Sequence, residues 1–304
     1  MSAENSGNAE YRSVWQDLRQ TAFQQAWRSV AGVGTRYWLA GSSGGDVVLL
    51  HGTGGHLEAF ARNLRALADR YRIWALDMPG HGWSDLAEHD LEVDDYVAHL
   101  LAFLDEAGIG QAALVGVSLG GWVASRFAVL HPDRVSALVL VTTGGSQADR
   151  KVMATIRSTT ATAVDQLGWA SVRARLEYLV HDPATIPDDL VATRLAIYGR
   201  DGMSENMRHV LVLQDQQIRQ RNIIPAADYA RIAAPTLVLW TEHDPTAPVA
   251  EGRRIASLIG GAEFVVFDDC AHWPQFERPE EFNRLVLDFL KRRLPETDRE
   301  EMLP

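Results

Sequence analysis

The chain has 304 residues, of which 46% are hydrophobic, and it carries a formal charge of −11 at pH 7. This length suits one large α/β domain with room for an insertion. The negative charge repels nucleic acid and anionic lipid, so we expect neither as a partner. No apolar run approaches the roughly 18 residues of a membrane-spanning helix, and residues 1–10 lack the apolar core of a signal peptide. The single cysteine, Cys270, excludes an internal disulfide and fits a reducing cytoplasm.

The first half of the chain predicts alternating strands and helices after an N-terminal tail. Residues 1–9 are predicted to be disordered, and 11–27 to form a helix because Val14, Trp15, Leu18 and Ala22 recur at helical spacing. Apolar runs predict strands at 31–40, 46–50, 72–76, 112–117 and 135–141, and helical patterns lie at 56–70, 93–107 and 122–131. This alternation is typical of a parallel sheet covered on both faces.

The alternation stops between residues 144 and 229, where the pattern is helical and no strand is evident. It then resumes with a strand at 236–240, a helix at 247–259, a strand at 263–267 and a helix at 279–290. An insertion between two strands of one sheet lies above their carboxyl ends, where ligands bind in open α/β sheets. We therefore predict an N-terminal tail and helix (1–27), a core (28–144 and 230–295) and a helical cap (145–229).

The strongest functional signal is a G-x-S-x-G motif at residues 116–120, between the predicted strand 112–117 and a helical segment. A strand-to-helix turn this tight strains its central residue and exposes the side chain at the carboxyl end of the strand. The motif alone is weak, because small residues co-occur by chance. In this order of elements it predicts that Ser118 is a nucleophile. The alternative is a serine that only turns the chain.

A serine hydroxyl becomes a good nucleophile only when a base accepts its proton and a carboxylate orients that base. His272 follows the last predicted strand, just before the final helix, so its loop can reach back to Ser118. We predict His272 as the base. The competing histidines, which also lie in loops at strand ends, are His51, His56 and His81.

The orienting carboxylate is expected after an earlier strand. Asp244 stands there, followed by Pro245, which cannot continue a strand ladder and so favours a turn that faces the site. Glu242 is the nearer rival, whereas residues 268 and 269 are aspartates too close in sequence to His272 to brace it. We predict Asp244 as the acid.

The tetrahedral intermediate of such a reaction also needs amide donors for its oxyanion. Leu119, directly after the nucleophile, is expected to supply one amide. The glycine-rich loop 51–56 follows a predicted strand, and Thr53 is expected to supply the other. This loop lacks the Lys-Ser/Thr of a P-loop and the G-x-G-x-x-G spacing. No H-E-x-x-H or paired C-x-x-C occurs, so we expect no metal and no cofactor.

The motifs at residues 51–54, 77–82 and 116–120, with the Asp244/His272 pair, resemble the α/β-hydrolase family over about residues 30–292. The resemblance implies a mostly parallel eight-stranded sheet flanked by helices, with a helical cap inserted after the sixth strand. The stretch 270–285 narrows the resemblance to one group within that family, because its sequence is similar to that of the meta-cleavage-product hydrolases. Those enzymes split C–C bonds in vinylogous 1,5-diketones formed after aromatic-ring opening.

The same resemblance implies residues that bind substrate. In that family the tryptophan after the catalytic histidine lines the pocket, which points to Trp273. The segment 185–194 resembles the cap helix whose arginine binds the carboxylate of the 2-oxo acid, which points to Arg194. A planar guanidinium suits a carboxylate because it donates two parallel hydrogen bonds. Spacing alone would place Arg194 on a solvated helix face. Gly52 and Gly54 are also expected to lie against the substrate.

The chain departs from the family at two places: Val117 stands where asparagine usually precedes the nucleophile, and the loop after residue 54 is shorter. The leading hypothesis is a serine hydrolase that cleaves a C–C bond in a 2-hydroxy-6-oxo-dienoate. The alternatives are a carboxylesterase or lactonase with the same triad, and a ligand receptor on the same fold. Ser118 excludes relatives with an aspartate nucleophile. We expect an acidic dienoate as small-molecule partner, and a homo-oligomer, dimer or larger.

Overall fold

A computed structural model describes residues 13–294, which form one eight-stranded sheet with helices around it. The strands are β1 (Phe23–Val30), β2 (Val33–Ala40), β3 (Asp46–Leu50), β4 (Arg72–Leu76), β5 (Ala112–Val117), β6 (Val135–Val141), β7 (Thr236–Thr241) and β8 (Glu263–Phe267). Their order across the sheet is β1-β2-β4-β3-β5-β6-β7-β8. The pairs β1/β2 and β2/β4 are antiparallel and the other pairs are parallel. The predicted mostly parallel, eight-stranded sheet is confirmed.

Helices cover both faces of this sheet and fill the gap between β6 and β7. Those of the core are α1 (Val14–Leu18), α2 (Ala61–Ala68), α3 (Val93–Glu106), α4 (Leu119–Leu130), α11 (Val249–Leu258), α12 (Pro274–Glu277) and α13 (Pro279–Arg293). Those between β6 and β7 are α5 (Arg150–Asp165), α6 (Trp169–Glu177), α7 (Asp188–Tyr198), α8 (Met203–Val210), α9 (Gln216–Asn222) and α10 (Ala226–Tyr229). We call these six helices and their connections the helical insert. As predicted, the described structure has no strand between β6 and β7.

The predicted helix over residues 11–27 is wrong for most of its length. Of its described part, only Val14–Leu18 is helical, and β1 begins at Phe23. β1 is an edge strand with one exposed face, so it lacks the continuous apolar run that marks the buried strands. Ala31 and Gly32, with φ of 47° and 88°, form the tight turn that joins it to β2. Pairing with β2 overrides the weak helical pattern. The predicted disordered tail, residues 1–9, lies outside the described residues.

The centre of the sheet matches the prediction closely because those strands are buried on both faces. β3, β4, β5 and β6 have the predicted bounds, and every residue of β5 is buried. The edge strand β8, which is only partly buried, also has the predicted bounds. The helix predicted from residue 122 starts three residues earlier, at Leu119, directly after Ser118. A strand and a helix therefore meet at Ser118 with no residue between them except the serine itself.

Two glycines allow this junction to pack. A Cβ on Gly120 would lie 2.1 Å from the Leu50 carbonyl oxygen, and a Cβ on Gly116 would lie 2.3 Å from the Gly120 carbonyl oxygen. The amide of Gly120 donates to the His51 carbonyl at 3.0 Å. The end of β3, the turn at Ser118 and the start of α4 are thus in direct backbone contact. None of the helices between residues 13 and 294 combines the length and the apolar composition of a membrane span.

Candidate active site

Ser118 occupies the turn between β5 and α4 in a strained conformation. Its φ is 56° and its ψ is −114°, a region that residues with a side chain rarely adopt. The backbone around it is held on both sides, since its amide donates to the Val141 carbonyl and its carbonyl accepts from Gly144, both at 3.0 Å. The strained turn that the G-x-S-x-G motif predicts is therefore present, at the carboxyl end of β5.

The structure pairs His272 with Asp244. His272 Nδ1 lies 2.9 Å from Asp244 Oδ1, and both side chains are almost fully buried. His272 lies between β8 and α12, and Asp244 follows β7. Both residues therefore lie in loops at the carboxyl ends of neighbouring parallel strands. His272 and Ser118 line the same pocket. No direct hydrogen bond joins these two side chains in the described structure.

Thr246, which sequence reasoning missed, holds the carboxylate in place. Its backbone amide and its hydroxyl both donate to Asp244 Oδ1, each at 2.9 Å. The hydroxyl is also 3.5 Å from His272 Nδ1. A threonine two residues after an aspartate in a turn is a sequence signal for this kind of local cap.

The competing histidines have structural partners instead. His51 Nδ1 lies 2.9 Å from the Gly52 carbonyl, and its Nε2 accepts from the amide of Met78. Burial lowers the pKa of His51 and of His81 to about 3 in each case, so neither is basic enough to deprotonate a hydroxyl near neutral pH. His56 is buried against Glu58 at 2.7 Å. Glu242, the rival acid, has a largely exposed side chain that lies 3.6 Å from His243.

The glycine-rich loop passes beside the serine. A Cβ on Gly52 would lie 3.0 Å from the Ser118 Cβ, so a larger residue would crowd the nucleophile. Thr53 and Leu119, the predicted oxyanion donors, line a common pocket with Ser118. Neither backbone amide has a hydrogen-bond acceptor within residues 13–294. These amides are therefore free to donate to a ligand.

A buried ion cluster fixes this loop against the sheet. Arg36 contacts Glu58 at 2.7 Å and Asp77 at 2.6 Å, and Glu58 also contacts His56, the last residue of the loop. Asp77 in turn accepts from the amide of Leu57 at 2.8 Å. The cluster thus ties both ends of the segment 56–58 to β2 and to the loop after β4. Burial raises the pKa of Asp77 above its usual value.

The pocket beside Ser118 extends in two directions. Both parts are lined by Thr53, Ser118, Ile156 and Thr246. The first arm is further lined by Arg175, Tyr178, Leu179, His272 and Trp273. The second arm is further lined by Trp122, Gln147, Met153, Gln214 and Arg219, among others. Core loops supply the catalytic candidates, and the helical insert supplies much of the opposite wall.

Arg194 is fully buried, against the expectation from spacing that it would be solvated. It lies on α7 with its guanidinium carbon 5.8 Å from the centre of the Trp273 ring. Its only hydrogen bond within the described chain is a long one of 3.5 Å to Tyr198, and its Nε and Nη2 have no partner. Tyr198 in turn donates to the carbonyl of Gly54 at 2.8 Å, which joins α7 to the glycine-rich loop.

A second buried guanidinium, Arg175, was not anticipated. It is 3% exposed, its Nε donates to the Thr160 hydroxyl at 2.9 Å, and its Nη1 has no partner in the described residues. Burial lowers its pKa to about 10, and the charge of Arg194 acts in the same direction. The signal for it was present in the sequence, because Arg175 lies on one helical stripe with Val172 and Leu176.

One group of possible metal ligands occurs among the described residues, away from the pocket. His181, His243 and Asp269 are all exposed, and their ligand atoms lie within 4.8 Å of one another. The two imidazole rings stack with centroids 4.3 Å apart. None of the three lines either arm of the pocket.

Comparison with known proteins shows which family and which enzymes this chain is similar to. A model of the alpha/beta hydrolase fold matches residues 46–279. A 2-hydroxy-6-oxononadienedioate/2-hydroxy-6-oxononatrienedioate hydrolase of Burkholderia vietnamiensis is 36% identical over 265 residues, which is 83% of this chain and 89% of that protein. A 2-hydroxy-6-oxo-6-phenylhexa-2,4-dienoate hydrolase of Comamonas testosteroni is 30% identical over 82% of this chain and 89% of its own length. A meta-cleavage product hydrolase from Pseudomonas fluorescens IP01, solved as a mutant with acetates, superposes with a TM-score of 0.78 at 27% identity, covering 88% of this chain and 97% of the other.

Proposed function

Because the chain belongs to the alpha/beta hydrolase fold family, we propose that Ser118, His272 and Asp244 form a catalytic triad that hydrolyses a C–C bond in 2-hydroxy-6-oxo-dienoates. Such compounds arise when an aromatic ring is opened, and relatives at 30–36% identity are named for this reaction. The observation that carries the substrate class is the buried, unpaired guanidinium of Arg194 beside Trp273.

An unpaired charge in the protein interior is costly, so a buried arginine without a carboxylate partner indicates a missing anion. Within residues 13–294, Arg194 has no ion-pair partner and Arg175 has none either. The carboxylate and the adjacent 2-oxygen of a 2-oxo acid would supply acceptors for both guanidiniums. Arg175 lines the first arm, and Arg194 lies beside Trp273, which also lines it, so the two guanidiniums would direct the acidic head of the substrate there.

The chemistry follows from a hydroxyl and a base beside that head. The dienol first becomes the 2,6-diketone by moving a proton to C5. The Ser118 hydroxyl, or a water, then adds to the C6 carbonyl while His272 accepts the hydroxyl proton. The C5–C6 bond breaks with its electron pair passing into the conjugated 2-oxo chain. The proton held by His272 passes to the departing dienolate. Where Ser118 is the attacking group, a water then cleaves the ester between its oxygen and C6 and frees the serine. On either route the net reaction adds one water and releases a 2-hydroxydienoate and a carboxylic acid.

The remaining site residues take supporting roles in this proposal. The amides of Thr53 and Leu119 donate to the C6 oxyanion. Gly52 leaves room for the substrate beside Ser118, and Gly54 lets Tyr198 of α7 approach the loop. Trp273 lines the first arm with His272. The helical insert, residues 145–229, acts as a cap that keeps water from the site.

Cellular location and assembly belong to the same proposal. The single cysteine, buried and free, suits a reducing cytoplasm. The exposed Trp27 on the edge strand β1 lies against Trp83, with its indole nitrogen 3.2 Å from the Trp83 carbonyl. An exposed tryptophan on an unpaired sheet edge offers an apolar surface for association, so we propose a homo-oligomer. Light scattering of the purified protein and of a Trp27→Ser variant tests it.

The decisive experiment compares dienoates with neutral p-nitrophenyl esters. For a dienoate, Arg194→Ala should lower kcat/KM by roughly 30- to 5,000-fold, since truncating one partner of a buried charge pair costs about 2–5 kcal/mol. The kcat/KM for neutral esters should fall far less, because these substrates offer no carboxylate to the guanidinium. Arg194→Lys should recover only part of the loss, since an ammonium lacks the two-pronged geometry.

The matched control is Arg173→Ala on the same insert, whose guanidinium is partly exposed and pairs with Glu177 and Asp188. It should leave both activities within about two-fold, as surface ion pairs contribute little. Fast ester hydrolysis with no dienoate turnover would contradict the proposed reaction and favour the esterase alternative. Equal losses on both substrates would make Arg194 a structural residue of the insert.

A further inference from the structure

The second arm of the pocket contains a cation that the proposed reaction leaves unused. Arg219, on α9, is 8% exposed and lines this arm together with Trp122 and Gln214. The arm shares Ser118 and Thr53 with the first arm, which holds His272 and Trp273. Ser118 therefore lines both arms, with Arg175 in the first and Arg219 in the second, while Arg194 lines neither arm and lies next to Trp273 of the first.

The guanidinium of Arg219 is held rigidly but is not neutralised. Its Nε donates to the Gln147 carbonyl at 2.8 Å, and its Nη1 lies 3.4 Å from both the Leu213 carbonyl and the Gln214 amide oxygen. Its guanidinium carbon stacks 4.9 Å from the centre of the Trp122 ring. Its Nη2 has no hydrogen-bond acceptor within residues 13–294, and no described carboxylate forms an ion pair with it.

The surroundings of Arg219 leave its guanidinium protonated and without an anionic partner among the described residues. Burial lowers the pKa of Arg219 to about 10, so it stays protonated near neutral pH. Asp149, the one carboxylate that lines the second arm within the described chain, is exposed and accepts from the amide of Val152 at the start of α5. The partners of Arg219 are carbonyls and an aromatic face, which orient a cation without cancelling its charge.

We propose that Arg219 binds a second carboxylate at the acyl end of the substrate, so that the preferred substrates are dicarboxylic 2-hydroxy-6-oxo-dienoates. This inference rests on the proposed function. With the C6 carbonyl at Ser118 and the 2-oxo acid in the first arm, the chain beyond C6 enters the second arm. A carboxylate there gains a planar, pre-oriented guanidinium, whereas an alkyl or aryl end would leave that charge without an anionic partner.

The test uses three substrates that differ only beyond C6: 2-hydroxy-6-oxonona-2,4-dienedioate, 2-hydroxy-6-oxohepta-2,4-dienoate and 2-hydroxy-6-oxo-6-phenylhexa-2,4-dienoate. The wild-type enzyme should show a kcat/KM for the dioate at least about ten-fold above that for the heptadienoate. Arg219→Gln should lower the dioate value by about 30-fold or more and change the other two by less than about three-fold. Arg219→Lys should give a kcat/KM for the dioate between those of the wild-type enzyme and Arg219→Gln. The ratio of two substrates on one preparation is independent of the fraction of folded enzyme.

Arg221→Gln is the matched control, because Arg221 lies on the same helix, is exposed and pairs with Glu92 outside the pocket. It should leave the dioate preference unchanged. A wild-type enzyme that cleaves all three dienoates without preferring the dioate would overturn the inference and leave the proposed function standing. Equal losses on all three substrates in Arg219→Gln would also overturn it, because Arg219 would then only support the insert. Failure of the wild-type enzyme to cleave any dienoate would overturn the proposed function itself.

Discussion

Ser118 shows how strain and function meet at a single residue. A non-glycine residue in its conformation costs about 1–3 kcal/mol, which the surrounding fold must offset. The hydrogen bonds from Gly144 and to Val141 and the close approach of Gly52 keep it there. The hydroxyl is thereby held in the pocket rather than against the helix that follows.

Two substitutions at this position separate the strain from the chemistry. Ser118→Ala should lower kcat by about 10⁴- to 10⁶-fold, as loss of a triad nucleophile does, with the fold retained. Ser118→Gly should be equally inactive. Its free energy of unfolding should be about 1 kcal/mol higher than that of Ser118→Ala, because glycine adopts this conformation without strain. Steady-state kinetics and urea unfolding measure the two effects. An alanine variant that keeps more than a few per cent of the activity would remove Ser118 from the mechanism.

His272 and Asp244 should differ in how much activity their loss removes. Without His272 no base accepts the serine proton, whereas Asp244→Asn leaves an imidazole that Thr246 still contacts. We therefore expect His272→Ala to lower kcat at least as much as Asp244→Asn, with the latter losing about 10⁴-fold. Glu242→Gln is the control and should keep near-full activity. Full activity in Asp244→Asn would show that another carboxylate orients the base.

At the scale of elements, the site depends on how closely β3, β5 and α4 approach. The clash that a Cβ on Gly120 would make is with backbone atoms of Leu50 and His51, which cannot rotate away. The same contact positions the glycine-rich loop beside Ser118. Stability and activity are therefore linked at this junction.

Gly120→Ala should lower the free energy of unfolding by about 3 kcal/mol, as overpacking of a rigid site does, and should also lower kcat. Gly110→Ala is the matched control, because a Cβ there meets nothing within 4 Å. It should leave both quantities nearly unchanged. Urea unfolding monitored by tryptophan fluorescence gives the comparison. Equal stability of the two variants would mean that the junction can relax.

For the whole molecule, buried neutral histidines set the response to acid. Burial lowers the pKa of His51 and His81 to about 3 and that of His99 to about 4. In the unfolded chain each titrates near 6.5. Between these values the unfolded state binds more protons than the folded state, so the stability present above about pH 6.5 is lost as the pH falls.

These three groups contribute a slope of up to about 4 kcal/mol per pH unit between pH 6 and 5, and His56, whose pKa burial also lowers, adds to it. His99→Gln should reduce this slope by up to about 1.4 kcal/mol per pH unit, because one proton fewer is taken up on unfolding. Urea unfolding at several pH values between 7 and 5 measures both slopes. A free energy of unfolding that does not change over this range would show that these histidines are charged or exposed in the folded protein.

Much of this molecule could be read from local pattern. The strands buried on both faces are continuous apolar runs, so β3, β4, β5 and β6 have the predicted bounds. The G-x-S-x-G turn and the order of elements after it pointed to Ser118, and the position of loops after β7 and β8 pointed to Asp244 and His272. Each of these inferences needs only neighbours in sequence and the topology of a parallel sheet.

The rest was decided by contacts between distant segments. β1 is a strand because β2 lies beside it, not because of its own weakly helical pattern. The spacing of Arg194 predicted a solvated helix face, and only packing shows that it is buried with Leu190 and Ile197 and that no carboxylate within residues 13–294 pairs with it. Arg175 and Arg219 reach the pocket from two different helices of the insert. Sequence alone determined the fold and the candidate triad because these follow local periodicity, whereas the charges around the substrate depend on which helices the tertiary structure brings together.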